Sequence, residues 1–241
     1  GHGAQFPLKT ASSSARGWPG PHVVDNMRKF LLLLLLLTLP SAAKPGHHHH
    51  DFSDIPRWMK AFEDPARDVW QKPQAVVDWL QLRPGQVVAD IGAASGYFSR
   101  PLARAVAPSG WVFAVEIEAG FFAPLHRLAA EQKVHNLATV LATAEGPNLP
   151  DGSVDLMFLC DTLHHIQGRA DYYQVLRKSL KPGGRIAVVD FFPDRDIPVG
   201  PKKEERLSPQ QVSDELQAAG FSVESNLELL PYQYIVVGRL P

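Results

Sequence analysis

From residue 51 onward the sequence predicts an α/β fold with a mostly parallel sheet of about seven strands, and three observations carry that reading. Short apolar, strand-like runs alternate with helix-like stretches of about ten residues, which implies parallel pairing through right-handed crossovers. Runs such as Ile186-Ala187-Val188-Val189 are continuously apolar, as a sheet covered on both faces requires. The last two strand-like runs have too short a connection for a crossover, so they must pair as an antiparallel C-terminal hairpin.

The elements follow in chain order. Trp58, Met59, Phe62 and Trp70 lie in a helical lead-in that Pro65 breaks. Pro73 sits in the first turn of a helix that carries Ala75-Val76-Val77-Asp78-Trp79-Leu80. Pro84-Gly85 turns the chain into a first strand over 87–91, followed by a helix over 97–106. A second strand is expected over 111–117, a helix over 121–132 and a third strand over 139–142. The fourth strand covers 154–159 and its helix 171–180. Lys181-Pro182-Gly183-Gly184 turns into a fifth strand over 185–191. A helix over 209–219 stops at Gly220, and strands over 222–229 and 233–237 meet at Pro231. No internal repeat and no second domain is visible after residue 51.

Composition narrows the function. The chain has 241 residues, 45% hydrophobic and 20% charged, which excludes a collagen-like, coiled-coil or mostly disordered protein. The one cysteine, Cys160, excludes an intrachain disulfide and a cysteine-built zinc or iron–sulfur site. At the end of an apolar strand it reads as a small core filler. With 24 basic and 25 acidic residues the net charge is −1, so no basic field points to nucleic acid.

The first fifty residues read differently. Residues 1–26 are rich in Gly, Ala, Ser and Pro without period, and are expected to be a disordered, non-native leader. Met27 then opens a signal-peptide-like segment, 27–43. Arg28 and Lys29 precede Phe30, seven leucines, Thr38 and Leu39, and Ser41-Ala42-Ala43 fits a cleavage site. The apolar run is about half the ~20 residues that a membrane span needs, so export is expected and a stable span is not. Cytoplasmic residence is the alternative. Residues 44–50 form a linker ending in His47 to His50, whose adjacent side chains fix no metal geometry.

Ligands of open α/β sheets bind at the carboxyl ends of the strands, so the chemistry is sought there. Asp90-Ile91-Gly92-Ala93-Ala94-Ser95-Gly96 runs from the first strand into a helix, and Gly92 and Gly96 allow a sharp turn and close approach of a ligand. Glu116, at the end of the second strand, lies 26 residues beyond Asp90, one βαβ step. A carboxylate there accepts hydrogen bonds from a ribose diol and disfavours a 2′-phosphate. The turn and the acid together point to a nucleotide-type ligand. Glu116 is expected to face a cleft, so that its removal weakens binding and leaves folding nearly unchanged. Asp161, His164 and His165 follow the fourth strand, where a histidine could act as a base. The segment 191–207, with three prolines, is long enough to be a lid or binding element.

The stretch Val88-Ala89-Asp90-Ile91-Gly92-Ala93-Ala94-Ser95-Gly96-Tyr97-Phe98 resembles motif one of class I S-adenosylmethionine (SAM)-dependent methyltransferases. Leu180-Lys181-Pro182-Gly183-Gly184-Arg185 resembles their turn before strand five. The likeness covers about residues 51–241 and is nearest the branch grouped with ubiquinone/menaquinone-biosynthesis methyltransferases. Cys160-Asp161-Thr162-Leu163-His164-His165-Ile166 and Leu230-Pro231-Tyr232-Gln233-Tyr234 are similar to segments of an uncharacterised bacterial subgroup. The motifs are specific for the fold and cofactor, and not for the methyl acceptor.

This resemblance implies a Rossmann-like sandwich, SAM as cofactor and a small-molecule acceptor. It implies that Asp90 and the backbone of Gly92, Ala93, Ala94, Ser95 and Gly96 hold the methionine part of SAM. Glu116 would hold the ribose, Ile117 would pack on adenine, and Ala144 and Glu145 would lie at the adenine edge. Thr143 stands where the family often has Asp, and Ala94 replaces a common Gly, which is tolerated if its φ is negative. Asp161, His164 and His165 would face the transferring methyl. Two alternatives remain at this level: a SAM-binding protein without catalysis, and a nucleotide-cofactor oxidoreductase.

Overall fold

A computed structural model describes residues 52–241. The expected leader, the signal-like segment 27–43 and the histidine run 47–50 lie outside the described residues. The element order is α1 (Ile55–Phe62), α2 (Ala66–Gln71), α3 (Pro73–Trp79), β1 (Val87–Ile91), α4 (Ser99–Val106), β2 (Trp111–Glu116), α5 (Phe122–Glu131), β3 (Leu137–Leu141), β4 (Val154–Cys160), α6 (Arg169–Ser179), β5 (Leu180–Phe191), α7 (Pro209–Ala218), β6 (Ser222–Asn226) and β7 (Gln233–Arg239).

The seven strands form one sheet in the order β3-β2-β1-β4-β5-β7-β6. The first five pair in parallel and β7 runs antiparallel to both β5 and β6. The C-terminal hairpin therefore forms as expected, with its second strand inserted against β5. Alternation along each strand feeds two cores. Ile91, Met157, Leu159 and Val188 pack with α6 and α7 on one face. Val88, Phe158, Ala187 and Ile235 pack with α3, α4 and α5 on the other.

Several boundaries shift for local reasons. The lead-in forms two short helices, α1 capped by Asp54, whose carboxylate accepts from the Arg57 N–H at 3.1 Å. Strand β6 ends early because the Asn226 side chain accepts from the N–H groups of Glu228 and Leu229, turning the chain. Residues 181–184, expected as a turn before the fifth strand, lie inside β5 as an irregularity. Val154 pairs with Leu180 and Leu156 with Arg185, so these residues bulge from the ladder. Pro209 follows a Ser208 cap, and Gly220 closes α7 at φ +90°, as the sequence predicts.

Candidate active site

The sheet order reverses at β1, with β2 on one side and β4 on the other, so the crevice lies beyond their carboxyl ends. A cavity of about 660 Å³ opens there, within the range that holds a small-molecule ligand. It is lined by Asp90 and Gly92 to Ser95 after β1, Glu116 and Ile117 after β2, and Asp161, His164 and His165 after β4. Gly96, in the same turn, is not among the lining residues. Its absent side chain instead leaves room for Leu125, which a Cβ would meet at 2.8 Å. Ala142, Thr143 and Ala144 reach the lining from the end of β3. Glu145 does not line it and is exposed, within the turn closed by the Thr143–Gly146 bridge. Of the two residues expected at the cofactor's adenine edge, the cavity wall therefore includes Ala144 and not Glu145.

The glycine turn is built for close packing. Gly92 has φ +75°, and a Cβ there would sit 2.5 Å from Thr162 Oγ1. Ala94 also stands in the left-handed region, at φ +43°, so the condition of a negative φ under which an alanine is readily tolerated here is not met. In this conformation the Ala94 N–H donates to Glu116 Oε2 at 2.9 Å. Arg100, on α4, donates to the Ser95 carbonyl at 2.9 Å and pairs with Glu63 of the lead-in. The turn is therefore held from β2 and from α4.

Glu116 is 6% exposed and already well occupied. Besides Ala94, the N–H groups of Ile117 and Glu118 donate to its Oε1 at 2.8 and 3.0 Å. A carboxylate has about four acceptor sites, so one remains for a ligand unless a backbone donor is displaced. Burial raises its pKa above the ordinary carboxylate value, and the three backbone donors offset only part of that rise. Glu116 does face the cavity, as expected, but the fold-neutral reading is corrected, because the same carboxylate ties β2 to the β1 turn. Asp90 is 3% exposed and accepts from Ser99 Oγ at 2.6 Å. Burial pushes its pKa up to about 7.

Asp161 is committed to neighbours as well. Gln71 donates to its Oδ2 at 2.9 Å, Gln233 donates to its Oδ1, and Arg67 lies 3.8 Å away. With both oxygens engaged, it acts as an anchor for α2 rather than as an open base. Cys160 Sγ accepts from Gln71 at 3.1 Å, and burial holds its thiol pKa well above the ordinary value, so it is not a reactive thiolate. It is half-buried at the cavity wall rather than enclosed as a core filler.

His164 makes the pair that sequence reading missed. Its Nδ1 lies 2.9 and 3.1 Å from the two carboxylate oxygens of Asp190, at the end of β5. An acid ending the apolar run of the fifth strand was the available signal, because a strand end in this fold faces the crevice. The His165 ring centroid lies 4.1 Å from that of His164. His126 is exposed, with its Nε2 3.1 Å from Thr139 Oγ1, and does not line the cavity. Trp58, Phe62 and Trp70 of the lead-in and Val199, Gly200 and Pro201 of the 191–207 segment complete the wall. Among the described residues, no group of three His, Cys, Asp or Glu side chains is arranged to hold a metal. No described helix is long and apolar enough to cross a membrane.

Residues 89–188 match the family described as "Methyltransferase domain". The chain is 28% identical over 116 residues to the ubiquinone/menaquinone biosynthesis C-methyltransferase UbiE of Hahella chejuensis, covering 48% of this chain and 47% of that protein. It thus spans about half the length of the curated relatives it matches. A SAM-dependent methyltransferase from Aquifex aeolicus superposes with a TM-score of 0.72 at 24% identity, covering 77% of this chain and 98% of that one. A structure titled as a possible exported protein from Bordetella parapertussis gives 0.59 at 16% identity, covering 82% and 76%. These last two are likenesses of fold.

Proposed function

We propose, from the premise that this chain belongs by domain, relatives and fold with the class I SAM-dependent methyltransferases, that it transfers a methyl group from SAM to a small-molecule acceptor. The observation that carries the reading is the joining of the Gly92 turn and Glu116 in one cavity at the switch point. The residues fit the cofactor. Ser95 Oγ is buried in the wall without a hydrogen-bond partner, which a ligand's polar group would satisfy. Asp90 offers a carboxylate to a cationic amino group, and Gly92 leaves the space a side chain would fill. When bound, SAM supplies an activated methyl on a sulfonium. The chain's own work is to orient the acceptor and exclude water with the lead-in aromatics.

SAM at a hundredfold excess over its Kd is expected to stabilise the fold by about 2.7 kcal/mol, while NADH leaves the melting temperature unchanged. Differential scanning fluorimetry makes the comparison. An equal shift from NADH would move the assignment to the oxidoreductase alternative.

The segment 27–43 supports a second proposal, that a chain started at Met27 is exported after cleavage behind Ala43. Cell fractionation with N-terminal mass spectrometry should find a chain starting at Lys44 outside the cytoplasm. An intact chain in the cytosol rejects export.

A further inference from the structure

We propose, resting on the methyltransferase reading, that the acceptor atom is an aromatic hydroxyl oxygen, that His164 is the base taking its proton, and that Asp190 positions His164. The dyad is desolvated: the His164 and Asp190 side chains are 4% and 0% exposed. A carboxylate only accepts hydrogen bonds, so Nδ1 carries the hydrogen and the ring's lone pair is left on Nε2. Asp190 is itself fixed, because the Phe191 N–H donates to its Oδ1 at 2.8 Å. His164 lines the cavity together with Ile166, Tyr172, Trp70, Phe191 and Val199, a largely apolar and aromatic surround suited to an aromatic acceptor.

The chemistry of the acceptor follows from the need for a base. A thiol ionises near pH 8.5 without much help, whereas a phenol, near 10, gains from a positioned imidazole. An amine attacks with its free lone pair and can lose its proton to water afterwards. In the transfer, the hydroxyl proton passes to Nε2 and the oxygen's electron pair forms the bond to the methyl carbon. The pair of the breaking carbon–sulfur bond stays on sulfur, and the imidazolium then gives its proton to solvent.

The charges around the ring set the pH response. Burial disfavours the imidazolium, but the hydrogen bond and charge of Asp190, with Asp161 and Glu205 adding, outweigh it and raise the pKa of His164 above its ordinary value. His165 stands beside it at 4.1 Å between ring centroids. Turnover should therefore climb with pH through a limb above the ordinary histidine range. Removing the Asp190 charge should move that limb to lower pH.

The test offers labelled SAM with 2-naphthol, 1-naphthol and 4-nitrophenol, identifies products by mass and NMR, and measures SAM affinity by calorimetry. We expect O-methyl products. His164→Ala should slow their formation by roughly 10²–10⁴-fold with SAM affinity retained. His164→Gln, whose amide can still donate to Asp190, serves if the alanine variant unfolds. Asp190→Asn keeps an acceptor for the Phe191 N–H, and should lower the pH limb and the plateau. Three results overturn the proposal while leaving the methyltransferase reading in place. They are SAM binding with no O-methylated phenol, unchanged turnover in the folded His164 variants, and an unmoved limb in Asp190→Asn. Absence of SAM binding would instead remove the reading on which the proposal rests.

Discussion

Glu116→Ala is expected to lower the melting temperature markedly and to weaken SAM binding at the same time. The substitution strips the acceptor from three backbone N–H groups, those of Ala94, Ile117 and Glu118. A buried donor left unpaired costs about 1–3 kcal/mol, and water entering the vacated space recovers part of that. A net loss of about 3 kcal/mol corresponds to roughly 6–12 °C for a domain of this size. Glu116→Gln keeps one good acceptor oxygen and should fall between the two. The affinity loss would have a separate origin: if Glu116 also accepts from the ribose, as the family resemblance implies, that charged hydrogen bond is worth about 1.5–3 kcal/mol. Thermal melts without ligand read the first effect, and calorimetry on the folded variant at low temperature reads the second. A melting point within about 1 °C of the parent would show that the Ala94 turn does not depend on this carboxylate.

The fold was legible because its signals are local. Val87 to Ile91 and Ile186 to Val189 are short apolar runs bounded by turn residues, as buried strands are, and Gly92 and Gly96 mark the sharp turn between strand and helix. Even the antiparallel hairpin followed from a connection too short to cross. The insertion of β7 between β5 and β6 was not legible, since an edge hairpin and an inserted one have the same local sequence. At the site, residue positions were legible and their engagements were not. The sequence places Asp161 at the mouth of the fourth strand. Only the tertiary structure brings Gln71 and Gln233, 90 and 72 residues away, onto its two oxygens. Asp190 and His164 are likewise 26 residues apart and meet because β4 and β5 are neighbours. The positive φ of Ala94 accompanies a hydrogen bond that its N–H donates to Glu116 of another strand, which no inspection of the turn alone reveals.

Asp90→Asn should stabilise the ligand-free protein at alkaline pH while weakening its hold on SAM. Burial, with the charge of Glu116 adding, pushes the Asp90 pKa up to about 7, against the hydrogen bond from Ser99 and the charge of Arg100. Between about 4 and 7 the folded protein keeps a proton there that the unfolded chain has released. Stability from this group is therefore present at low pH, falls as pH rises through that window, and is lost above 7. A shift of this size corresponds to about 4 kcal/mol. Asparagine has nearly the same shape, can still accept from Ser99 Oγ, and carries no charge to desolvate. The variant should therefore melt several degrees above the parent at pH 8 and show no gain near pH 4. The same carboxylate is the group proposed to meet the cationic amino group of SAM, so binding favours its ionised form. Below pH 7, SAM binding to the parent should then release a proton, read by calorimetry in buffers of different ionisation heat. Asp90→Asn should release none at this site and bind more weakly. Equal melting points at pH 8, together with equal proton release, would mean that Asp90 is ionised in the free protein and apart from the cofactor's charge.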